Sequence, residues 1–91
     1  MEVVGIVSEV IDKSKAPFKK ALVVLDVTLI NGTINESENK KFVLEFRKHM
    51  ADVAKALRFG DEIKANCYSD FKQDKHSNCY NNIVAQKAER V

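Results

Sequence analysis

A chain of 91 residues, 45% hydrophobic and 31% charged, suits one folded domain and excludes a disordered segment, a fibre and most multi-site enzymes. No apolar run approaches the roughly 18–20 residues of a membrane span, since the longest, Ala21 to Leu25, ends at Asp26. The net charge of +2 is too small to announce a nucleic-acid partner on its own.

The first element alternates Val3, Gly5 and Val7 with Glu2, Val4 and Ile6, which predicts a strand to about Asp12 with a bulge near Ser8 to Val10. Residues 12–20 are polar, contain the only proline, Pro17, and read as a loop. From Ala21 to Ile30 the chain is rich in β-branched residues. Val23, Leu25, Val27 and Leu29 form the apolar face of a second strand, and Asp26 and Thr28 mark the wetter one. Asn31-Gly32 signals a turn, and the polar stretch to Asn39 predicts a long, mobile hairpin loop. A third strand places Phe42, Leu44 and Phe46 inward and Val43, Glu45 and Arg47 outward.

The period then changes. Met50, Val53, Ala54 and Leu57 fall at i, i+3, i+4 and i+7, the stripe of a short helix, which Phe59-Gly60-Asp61 closes with Gly60 free to turn left-handed. Alternation returns over 62–71: Ile63, Ala65 and Cys67 inward, Lys64, Asn66 and Tyr68 outward, with Phe71 in the inward phase and therefore assigned to the core. A polar loop from Lys72 to Asn78 leads to a last strand with Ile83 and Ala85 inward. Five strands with one helix between the third and fourth is the element order of an OB-fold, a small all-β Greek-key barrel, here as a single domain over 1–91. Curling into a barrel lets strands bury one another where no second layer exists to cover an open sheet.

The segment Phe46 to Ile63 joins an aromatic strand end, a lysine before a short alanine-rich helix, and a Gly-Asp turn into a strand. Together with the opening Val3-Val4-Gly5-Ile6-Val7-Ser8 and the closing Tyr80-Asn81-Asn82-Ile83-Val84-Ala85, it resembles the bacterial and phage single-stranded DNA-binding proteins. The resemblance implies largely sequence-nonspecific binding of single-stranded DNA, in preference to RNA, in replication, recombination or repair, by a homo-oligomer. The family stacks bases on several tryptophans, and this chain has none, so binding is expected to be weak or to rest on an oligomer.

Charge is unevenly spread. Lys13, Lys15, Lys19 and Lys20 give residues 13–20 a charge of +4, and Lys40, Lys41, Arg47 and Lys48 against Glu45 give 40–48 a charge of +3, on a body that is otherwise acidic. In an OB-fold the ligand lies between the loops joining strands one to two and four to five. The first loop supplies those four lysines and Phe18; the second supplies Lys72, Lys75 and His76 between Phe71 and Tyr80. Cations neutralise phosphates and rings stack bases, the combination a single strand requires. Arg47 and Lys48, with Lys64 and Tyr68 outward on the fourth strand, extend the track. Each residue also has a structural reading: Phe18 as a cap on the barrel mouth, Tyr68 as packing for a dimer partner, Tyr80 open between the two, and the lysines as solvated loops. His49, at the helix start, either caps it or contacts phosphate.

No enzyme is expected, because the chain has no nucleophile elbow, glycine-rich phosphate loop or paired histidines. Cys67, His76 and Cys79 fall short of four metal ligands, so neither metal nor cofactor is expected, nor a small-molecule substrate. The two cysteines are placed as neighbours across the last hairpin, within reach of a disulfide under oxidation. With no signal-peptide pattern after Met1, a reducing cytoplasmic compartment and free thiols are the expectation. The rival reading, from another class, is an OB-fold that joins a partner or itself through Val4, Ile6 and Val43 without binding nucleic acid.

Overall fold

In the computed structural model, which describes residues 1–91, the alternation of the first two segments produces long strands, β1 (Glu2–Asp12) and β2 (Lys20–Ile30), paired antiparallel from Val3·Ile30 to Asp12·Ala21. Register shifts between Val4 and Gly5 and between Val7 and Glu9 bend β1. The second coincides with the bulge expected near Ser8. Bending lets β1 follow β2 along one edge and accept another strand on the other. Ala21, Val23, Leu25 and Val27 are fully buried, as the period of two requires.

Gly5 is needed at the bend. A Cβ there would lie 2.8 Å from the Asp26 carbonyl oxygen and 3.1 Å from the Val27 Cα, and both are backbone atoms that cannot step aside cheaply. Gly5→Ala is expected to destabilise by about 1–3 kcal/mol through overpacking, read as a lower urea midpoint with unchanged slope. A midpoint equal to that of the parent would show that β1 and β2 approach less closely.

Residues 31–40 are more ordered than the polar composition suggests. Asn31 and Gly32 have φ of +50° and +80°, the two left-handed positions of a tight hairpin turn, so β3 (Thr33–Ile34) folds straight back on Leu29 and Ile30. Asn35 is buried, and its side-chain amide donates to the Val27 carbonyl at 3.1 Å. The expected mobile loop is therefore pinned in its first half by side chain-to-backbone hydrogen bonding, which composition does not reveal.

β4 (Lys41–Arg47) pairs antiparallel with β2 from Asp26·Lys41 to Lys20·Arg47. Helix α1 (Met50–Lys55) buries Ala51 and Ala54, with Leu57 just beyond, against β1, β2, β4 and the last strand, and so closes one end of the structure. Gly60, at φ +90°, makes the turn that follows. β5 (Glu62–Gln73) pairs with β1 over Glu62–Asn66, and β6 (Cys79–Arg90) pairs antiparallel with β5 and in parallel with β4 at Leu44·Ile83 and Glu45·Val84. The molecule is mostly β, and β1, β2, β4, β6 and β5 form a closed ring of five strands. Its interior is a cluster of 15 buried residues, with Phe46, Leu25, Leu44 and Ile63 the largest. No helix is long and apolar enough to cross a membrane.

Two expectations are corrected by the length of the β5–β6 ribbon. Beyond Asn66, β5 has no further β1 partner, and before Ile83, β6 has no β4 partner, so the distal ribbon leaves the ring. Phe71 keeps the inward phase but has passed the rim, and it is 63% exposed rather than core. Cys67 pairs with Ala85 while Cys79 pairs with Gln73, six positions further along β5 and about 20 Å away at the rise of a strand. The cysteines are not neighbours; Cys67 is buried, Cys79 is exposed, and both are free.

Candidate nucleic-acid interface

The pairing of β2 with β4 sets Lys20 opposite Arg47 at the ring end nearest α1. Between their side chains lies Glu45, which is 8% exposed. Its Oε1 is 3.4 Å from Lys20 Nζ and 3.1 Å from Arg47 Nε. Arg47 Nη2 also donates to Asp70 Oδ2 of β5 at 2.7 Å, and Lys72 Nζ stands 3.9 Å from the same oxygen. Burial opposes the charged form of Glu45, but the hydrogen bonds and charge of Arg47, with Lys20, outweigh it and hold its carboxyl below the usual range. The hydrogen bonds that the Arg47 guanidinium donates to Glu45 and Asp70 fix it in its charged form despite some burial. Arg47 is thus a held cation whose charge is already compensated.

The loop between β1 and β2 is built by its own short polar side chains. Asp12 Oδ1 accepts from the Ser14 amide at 2.9 Å, and Ser14 Oγ accepts from the Lys20 amide at 3.1 Å. Lys15 and Phe18 exchange two backbone bonds, at 2.8 and 2.7 Å, around the cis Ala16–Pro17 bond. This turn leaves Phe18 76% exposed, so it does not cap the ring. The Lys48 amide donates to the Lys19 carbonyl at 3.0 Å, which ties the loop to the start of α1. Lys19 Nζ is 3.3 Å from Asp52, whereas Lys13, Lys15 and Lys48 make no ion pair. His49 takes the N-cap position without a side-chain capping bond, so the capping role considered for it is not used.

Two open grooves flank this region. One, of about 340 Å³, is lined by Pro17, Phe18, Lys19, Lys48, His49 and Asp52. The other, of about 370 Å³, runs past Arg47, Lys48, His49, Met50, Tyr68 and Val84. Tyr68 is 42% exposed and faces outward opposite Val84. A third groove, of about 400 Å³, lies between β4 and the start of β6, where the two strands part, and includes Val43, Asn81 and Asn82.

The structure therefore gathers Lys13, Lys15, Phe18, Lys19, Lys20, Arg47, Lys48 and Tyr68 around one end, with Lys72 joined through Asp70. It does not gather the rest. Lys64 lies near the opposite end of β5, beside Val4 of β1 and 3.8 Å from Glu89. Lys75 sits in the turn at the ribbon tip, and Tyr80 Oη, opposite Lys72, donates to Asp74 Oδ2 at 3.2 Å. The second basic segment is also split: Lys41 pairs with Asp26 at 3.0 Å, about 20 Å along β4 from Arg47, with Glu45 between. Sequence reasoning missed the compensating roles of Glu45 and Asp70. Alternation puts Glu45 on an outward face and says nothing of a partner for Asp70, because their meeting at Arg47 requires ring closure. Phe59, 84% exposed after α1, carried no signal beyond its place in the turn.

No known protein family's profile matches this chain, and no curated protein matches it in sequence.

Proposed function

We propose that this protein is an OB-fold domain that binds single-stranded nucleic acid, DNA in preference to RNA and with little sequence specificity, in the cytoplasm. The OB-fold reading is supported by the strand order around the ring, by its one parallel contact, between β4 and β6, and by the helix between β4 and β5. The binding reading is carried by the convergence at one end of three lysines without ion pairs, Lys13, Lys15 and Lys48, and two exposed rings, Phe18 and Tyr68. Unpaired cations are the ones a phosphate backbone rewards, because they release its counterions without first breaking an internal bond. Exposed rings supply stacking that every base accepts.

Tyr68→Ala is expected to weaken binding of a dT20 oligonucleotide by about tenfold, the lower range of a lost base–aromatic stack, while the circular dichroism spectrum is unchanged. Unaltered affinity would return Tyr68 to a packing role over Val84. The rival interaction module is favoured by the internal compensation of Arg47 and by the exposed Val43 and Ile6. Light scattering separates the two: a dimer that ignores oligonucleotides supports the rival, and an oligomer that binds them supports the proposal.

A further inference from the structure

The grooves bearing Phe18 and Tyr68 share a wall, since Lys48 and His49 line both. We propose that this wall seats a phosphodiester group of a single strand, with flanking bases on Phe18 in one groove and on Tyr68 in the other. The inference rests on the nucleic-acid reading and adds a path to it: the strand leaves the ring face and crosses the start of α1.

Lys48 is the cation suited to the phosphate. Arg47, its neighbour, is held by Glu45 and Asp70, and Lys19 is engaged by Asp52. Lys48 has no ion pair and no side-chain hydrogen bond, yet its backbone, at φ +56°, is held by the hydrogen bond its amide donates to the Lys19 carbonyl. Its ammonium is therefore free while its root is anchored. The imidazole of His49 makes no capping bond and so offers a ring N–H to the same oxygen atoms. Each groove holds one exposed ring, 76% exposed for Phe18 and 42% for Tyr68. Bases on opposite sides of a wall must be unstacked from each other, which a flexible single strand permits and a duplex does not.

The test uses fluorescence anisotropy of labelled dT20 over a salt series, with Phe18→Ala, Lys48→Gln, His49→Gln and the double variant Phe18→Ala/Lys48→Gln. A parallel arm maps photo-crosslinks from an oligonucleotide carrying 5-iodouracil. Phe18 and Lys48 are exposed, so their variants should keep the parent urea midpoint. Phe18→Ala should weaken binding about tenfold through the lost stack. Lys48→Gln should flatten the slope of log affinity against log salt by about 0.7, one phosphate contact on a single strand. Crosslinks should map to both Phe18 and Tyr68. Binding by the parent with Phe18→Ala and Lys48→Gln indistinguishable from it overturns this path and leaves the broader reading standing. Absence of binding by the parent overturns both.

Discussion

Phe46→Ala is expected to cost about 3–5 kcal/mol, the range for truncating a buried aromatic side chain, whereas Phe71→Ala is expected to stay within about 0.5 kcal/mol. Both phenylalanines stand in the inward phase of their strands, so alternation alone ranks them as equals. Phe46 is fully buried in the ring interior; Phe71 is 63% exposed on the ribbon that leaves it. A domain of 91 residues has about 5–14 kcal/mol of stability in total, so the first substitution removes a large share of it. At roughly 4–8 °C per kcal/mol the melting temperature should fall by well over ten degrees. Urea denaturation of the two variants side by side is the measurement. Equal losses would mean that the ribbon packs on the ring, contrary to the pairing described.

Arg47→Met should be the most damaging change at the candidate interface. It preserves the length of the stem but leaves the mostly buried Glu45 with Lys20 as its one cation and Asp70 with Lys72. Removing one partner of a mostly buried pair costs about 1–3 kcal/mol through the group left behind. The pH dependence gives the sign. In the parent protein the Glu45 carboxyl is held below its usual range, so its stabilising contribution is fully present above the unfolded carboxylate value, about 4.3, and is lost as pH falls through the folded one. Without Arg47, Lys20 alone opposes the burial of Glu45, so the carboxyl is held down less than in the parent. The deficit of the variant should therefore be large at pH 7 and shrink towards pH 4. Parallel urea curves at the two values check it, and a deficit independent of pH would contradict the network. Oligonucleotide affinity should fall as well, because one positive charge is lost and Glu45 and Asp70 then draw their whole compensation from Lys20 and Lys72.

Much of the ring is legible in the amino-acid sequence. The period of two placed Val23, Leu25, Val27, Ile63 and Ala65 inward, and all five are buried. The stripe of Met50, Val53, Ala54 and Leu57 marked α1, and Gly60 its end. These signals are local, set by backbone periodicity within one element. What was not legible depends on where elements stop or on which meet. Phe71 and Cys79 were misplaced because alternation does not say where β5 and β6 outrun the ring. The Asn31-Gly32 turn is legible, but the order beyond it is not, because it rests on Asn35, whose backbone amide donates to the Thr28 carbonyl and whose side chain donates to the Val27 carbonyl. The Arg47–Asp70 bond joins residues 23 positions apart on strands that are not adjacent, with β6 between them. The division of Lys40 and Lys41 from Arg47 and Lys48 follows from seven residues of extended strand, which sequence proximity disguised as one patch.

The most direct test of the central proposal is the affinity for dT20 measured from about 50 mM to 300 mM salt, a span wide enough to resolve counterion release. Phosphate contacts by Lys13, Lys15 and Lys48, with a fourth from Lys19 or Lys20, should give a log–log slope near −3, at about 0.7 per contact. Binding that weakens along that slope is the expected result. No binding at the lowest salt, or binding indifferent to salt, would contradict it.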